Sequence, residues 1–122
     1  MNLITAILYI SGFLTITPVL FYFSPHIFSK KIFHFEYSDD VSDFFVRDWG
    51  LMVSIFGVLI ILSVHFIEIR TAVLTAAAIN KAAFTLLVFL KRKTPFVKGL
   101  FLSAYLDAFF VLLYVLIILK VL

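Results

Sequence analysis

Two ionisable residues stand alone in long apolar runs: Lys81, within I-N-K-A-A-F, and Asp107, within Y-L-D-A-F-F. A base and an acid placed this way can hold each other as an ion pair, relay a proton, or grip a polar head group. A lone lysine at the centre of a bilayer costs about 2.5–3.5 kcal/mol on insertion scales, so it must face protein or water and find a partner. Depth proposes that partner. Lys81 is ten residues from Lys91, about 15 Å along a helix, and Asp107 is nine residues from Lys98, about 13.5 Å. Both counts start from the same connection between two antiparallel helices, so the spacing predicts that Lys81 and Asp107 pair at equal depth. Such a pair can simply fix helix packing; the functional alternative is a proton relay or a head-group site.

Other polar residues fall into stripes. Ser103, Asp107 and Tyr114 share one face of the last helix, and Ser11, Thr15 and Tyr22 repeat those offsets on the first. Ser54 lies with Gly50 and Gly57 on the second helix, and Asn80 adjoins Lys81 on the third. The pairs Ala72/Ala76 and Ala78/Ala82 have the spacing that lets helices approach closely. Together these faces predict a polar bundle interior in which interhelical hydrogen bonds, rather than a cavity, take up the polar groups.

A second constellation opens the second helix, in S-D-D-V-S-D-F-F-V-R-D-W-G (Ser38 to Gly50). Ser38 is the expected N-cap, with acids in the first turn complementing the helix dipole and the helix beginning near Asp39, ahead of the membrane. Asp43 and Arg47 are i,i+4 partners. Arg47 and Asp48, about 100° apart, point different ways, and one of them should face the bundle. Trp49 stands where an interfacial anchor belongs, so Arg47, Asp48 and Trp49 are assigned to the head-group level. Upstream, Pro25 to Phe35 mixes aromatic residues with Lys30 and Lys31; Phe28, Ile32 and Phe35 at helical spacing suggest a short segment lying on the membrane or packed on the bundle end. His34, Glu36, Asp39, Asp40 and Asp43 fit no defined calcium loop, so no metal site is assigned. His65 and Glu68, i,i+3 apart, are expected to hydrogen-bond. No phosphate loop, zinc-protease helix or nucleophile elbow is present, and no cofactor is expected.

The elements that must carry these residues follow from hydropathy. Of 122 residues, 64% are hydrophobic and 14% charged, against about half and a quarter in a soluble domain. The mean hydropathy is +1.18. A membrane-crossing helix needs about 20 apolar residues. Four runs meet that need, giving an all-α transmembrane four-helix bundle with helices over 3–23, 47–67, 70–90 and 99–120, a single domain, and a longer, partly interfacial loop over 24–46. The first run is read as a retained helix because no lysine or arginine precedes it and no small-residue cleavage site follows. Pro18 should bend it, with Thr15 and Thr17 covering freed carbonyls. Glu68 to Arg70 is read as a tight turn, and Pro95 breaks the last connection. Lys30, Lys31, Arg47, Lys91, Arg92, Lys93 and Lys98 lie on one side, Arg70 and Lys120 on the other; the positive-inside rule then puts both termini outside. There is no cysteine, and a net charge of +3 does not suggest nucleic acid.

R-D-W-G-L-M-V-S-I-F-G (Arg47 to Gly57), I-R-T-A-V-L with I-N-K-A-A-F, and Y-L-D-A-F-F resemble segments of small bacterial four-helix membrane protein families, mostly of unknown function, and loosely the DoxX-like group. The resemblance implies a four-helix fold and an inner-membrane location, and no activity. The residues favour an accessory or scaffold subunit, associating with itself or with another membrane protein. The alternatives are a proton-coupled small carrier using Lys81 and Asp107, and a lipid-binding or lipid-modifying protein using the head-group residues. No catalytic constellation stands out, so an enzyme is the less favoured class.

Overall fold

A computed structural model describes residues 2–121. The first span is two helices, α1 (Leu3–Ile16) and α2 (Val19–Phe23). Asn2 caps α1, its Oδ1 accepting from the Thr5 amide at 2.8 Å. The break falls at Thr17 and Pro18. Proline has no N–H to offer the carbonyl four residues back, and the Thr17 hydroxyl donates to that carbonyl, Leu14, at 2.7 Å. Thr15 instead bonds Ser11 within its own helix.

α3 (Pro25–Ile32) follows directly, with Pro25 and Ser29 buried and Lys30 and Lys31 in its last turn. His34 takes a left-handed backbone, φ 58°, and turns the chain away from the helix. α4 (Asp40–His65) begins next to Asp39, as the acids after Ser38 suggested, seven residues ahead of the 47–67 span. Asp39, not Ser38, is its N-cap: its backbone is extended and its carboxylate accepts from the Ser42 amide at 2.8 Å. α5 (Ile67–Leu90) starts after a single non-helical residue, Phe66. Glu68 to Arg70, read as a turn, therefore lie inside α5. A 3-10 turn (Pro95–Leu100) leads into α6 (Phe101–Ile118), a slightly shorter helix than the 99–120 run.

The spans form a ring in the order α1/α2, α4, α5, α6, and the closing seam between α6 and α1 is the thinnest. α1 and α4 meet at glycine: a Cβ on Gly57 would stand 2.7 Å from the Gly12 carbonyl oxygen. Gly50 likewise leaves room for the Pro18 carbonyl at the break. One end of the core is filled by Leu8, Ile60, Leu74 and Tyr114, all fully buried.

Two expected stripes lie elsewhere. Ala72, Ala76 and Ala82 are exposed, and α5 buries Val73, Leu74, Ala77, Ala78 and Lys81. Ala72 is nine residues from Lys81, about 180° around the helix at 3.6 residues per turn, so turning Lys81 inward turns Ala72 out. Tyr22 is also exposed, because the break at Pro18 ends the register of Ser11 and Thr15. Large apolar side chains cover the outside, Leu102 at 71% and Tyr105 at 72% exposure among them. Four helices of this length and apolarity are built for lipid.

Candidate functional site

α5 and α6 are joined closely enough that residues equally far from their connection face each other. Lys81 Nζ lies 3.0 Å from Asp107 Oδ1, with Lys81 only 5% exposed and the Asp107 side chain 21%. The Phe110 ring stands 5.8 Å from the ammonium and offers it a π face. Thr85 locks the same seam: its hydroxyl reaches the Lys81 carbonyl at 2.9 Å and the Ala104 carbonyl at 3.3 Å.

The pair lies on the wall of a cavity of about 210 Å³. This corrects the expectation of a packed interior. The cavity lies beside the break between α1 and α2, where Thr15, Thr17, Pro18, Leu20 and Phe21 line it. Its walls come from every span: Thr15 and Phe21, Trp49 and Val53, Asn80, Lys81 and Phe84, and Ser103, Asp107 and Phe110. Phe33, after α3, closes one end, its ring stacked on Phe21 at 5.0 Å and edge-on to Trp49 at 5.7 Å. Gly99 makes that closure possible, since a side chain there would strike the Phe33 carbonyl. The exposed wall residues Leu14, Leu20 and Ile32 on one side and Leu106 on the other show that the cavity reaches the protein surface beside the thin seam between the first span and α6.

Lys81, Asp107, Asn80, Ser103 and Trp49 thus meet around one space. Among the described residues, the Asn80 and Ser103 side chains make no hydrogen bond to protein, and Lys81 spends one of its three N–H donors on Asp107. Ser54 and Tyr114 do not reach it. Ser54 donates to the Leu51 carbonyl of its own helix at 2.7 Å. Tyr114 is fully buried beside Ser11, without a well-formed hydrogen bond.

The head-group residues divide. Asp43 is a hub, accepting from Arg47 Nε at 2.9 Å and the Tyr37 hydroxyl at 3.1 Å, with His26 Nε2 at 3.5 Å. Arg47 also donates to the Tyr22 carbonyl at 2.7 Å, tying the end of α2 to α4. Burial, reinforced by the bond to Asp43, pushes the Tyr37 hydroxyl up to about 12. Asp48 is exposed and Trp49 turns inward to the aromatic cluster rather than sitting as a free anchor. Glu36 pairs with Lys30 at 3.2 Å, and no group of three or more His, Asp or Glu among the described residues could hold a metal ion.

At the opposite end His65 bonds the Tyr9 hydroxyl at 2.7 Å, not Glu68. Phe66 separates two helices there, so the i,i+3 relation does not apply. Arg70, to which the sequence assigned no partner, donates to the Ser63 and Val64 carbonyls at 3.0 and 3.3 Å, closing the end of α4. The free carbonyls at the end of α4, six and seven residues before an arginine, are the signal that could have found it.

Four apolar spans around a polar centre define a multi-pass α-helical membrane protein. Set against known proteins, the chain matches no family model, no curated protein and no solved structure.

Proposed function

We propose that this protein binds a small amphipathic molecule drawn from the bilayer. The observation that carries the reading is the cavity itself: an aromatic-walled space with a buried ion pair on its wall that reaches the protein surface beside the seam between α1/α2 and α6. Ligand sites are typically apolar hollows with a few convergent polar groups, and an intramembrane charge is expensive to keep without a use. This favours the lipid-binding alternative over catalysis. The distribution of Lys and Arg supports an inner-membrane orientation with both termini outside. The test is mass spectrometry of apolar extracts from protein purified in mild detergent. Wild type should carry an amphipathic molecule in near-stoichiometric amount, and an equally monodisperse Ser103→Phe variant, its cavity filled, should not. Equal extracts from the two would reject the reading.

A second reading, an accessory subunit, is favoured by one observation. The outward face of α5 presents Ala72, Ala76 and Ala83 to the membrane, and small residues at such spacing let a further helix approach. The chain has no cysteine, so Ala76→Cys introduces a single one. Oxidative crosslinking in membranes should yield a dimer or a heavier adduct, whereas a Leu102→Cys control should stay monomeric. Monomer from both would argue against association through this face.

A further inference from the structure

The cavity's polar wall specifies what kind of head group it takes, on the reading that the cavity binds a ligand at all. Lys81 and Asp107 already neutralise each other at 3.0 Å. An anionic head such as a phosphate could pair with Lys81 only by competing with Asp107, and would leave a surplus negative charge in the apolar belt. A cationic head would do the converse to Lys81. Either leaves a buried charge without its counterpart, the arrangement that costs most in a low dielectric. A neutral hydroxyl avoids this. Its oxygen can accept a hydrogen bond from one of the two remaining Lys81 N–H donors, and its own O–H can donate to Asp107, whose Oδ2 has no hydrogen bond among the described residues.

Asn80 and Ser103 add one amide and one further hydroxyl on the same wall, neither of which carries charge. The volume agrees. A space of about 210 Å³ equals roughly seven water volumes at about 30 Å³ each, enough for a hydroxyl or glycerol group and the start of a chain. Phe21, Phe84 and Phe110 supply apolar surface for that chain, and the gap by Leu20 and Leu106 lets the remainder lie in lipid.

We propose that the cavity selects uncharged, oxygen-bearing lipids, namely long-chain alcohols, acylglycerols and protonated fatty acids, over lipids with charged head groups. Trp49, the only tryptophan, lies on the cavity wall and serves as reporter. The experiment measures quenching of Trp49 in phosphatidylcholine nanodiscs by four brominated probes of equal chain length: an alcohol, a monoacylglycerol, an alkyl phosphate and an alkyl trimethylammonium. Saturable quenching by the two neutral probes, displaced by unbrominated dodecanol, is expected at concentrations at least about tenfold below those for the charged ones, a tenfold ratio being about 1.4 kcal/mol. A Lys81→Met, Asp107→Leu double variant, which keeps the cavity but loses the donor and acceptor of the pair, should bind the two neutral probes at least about tenfold more weakly, again about 1.4 kcal/mol. Charged probes binding as well as neutral ones, or the double variant binding the neutral probes as tightly as wild type, overturns the inference while leaving a binding cavity. Quenching by no probe that dodecanol can displace removes the cavity-binding reading itself.

Discussion

Gly12 and Gly57 face each other across α1 and α4, so closely that a Cβ on Gly57 would stand 2.6 Å from Ile16 Cγ1 and 2.7 Å from the Gly12 carbonyl. With the Ile16 amide nitrogen, also at 2.7 Å, two of the three obstacles around position 57 are backbone, which cannot rotate away. Gly57→Ala is therefore expected to push the two helices apart and cost about 1–3 kcal/mol, as overpacking does. Thermal melting in detergent by circular dichroism checks this; an unchanged midpoint would mean the helices separate freely.

Lys81 and Asp107 should behave as a unit. Removing one partner leaves a buried charge uncompensated, about 3–5 kcal/mol, whereas replacing both with apolar residues is close to neutral. Lys81→Met and Asp107→Leu alone should each deplete folded protein in the membrane, the combination of the two should restore it, and the charge swap Lys81→Asp with Asp107→Lys should restore it in part. Single variants that accumulate normally would show that the pair is dispensable for folding.

How much of this was readable in advance depends on the residue. The equal depth of Lys81 and Asp107 can be counted because α5 and α6 are each unbroken and each count begins at a charged connection. The alanines could not be sorted that way. Ala72/Ala76 and Ala78/Ala82 have the same spacing, and only their angle to Lys81 separates the exposed from the buried. The choice between Ser38 and Asp39 as cap turns on a single residue's backbone angles. The cavity was least legible, since its wall combines residues around the Pro18 break with Phe33 after α3, and neither placement has a periodic signature.

Arg70→Ala should remove two charge-assisted bonds to the Ser63 and Val64 carbonyls and cost about 1–3 kcal/mol. Arg70→Lys should not recover the loss fully, because an ammonium lacks the planar fork that spans two carbonyls. Urea or heat denaturation of the three proteins side by side measures the ranking; a lysine variant equal to wild type would mean that charge alone matters.

Asp39 predicts an acid limb. The Ser42 amide holds its carboxyl below the ordinary value of 3.8. A depressed folded value means that the capping contribution is fully present above 3.8 and disappears as pH falls through the lowered one. Asp39→Asn caps without titrating. Wild type should therefore melt above Asp39→Asn at pH 6, and that advantage should shrink below pH 4. A gap that stays constant from pH 6 to pH 2 would place the effect elsewhere.

The break at Pro18 and the charge at Lys81 differ in when their needs can be met. The carbonyl freed at the break, Leu14, is covered by Thr17 from the same span, so this part of the first helix can enter lipid before anything else has been made. Lys81 has no such local supply. Asp107 lies 26 residues further along the chain, about one to five seconds of synthesis at 5–20 residues per second. For that interval the newborn α4–α5 hairpin must keep its ammonium at the translocon wall or snorkelled to the surface, which makes the arrival of α6 the step that commits the protein to the membrane.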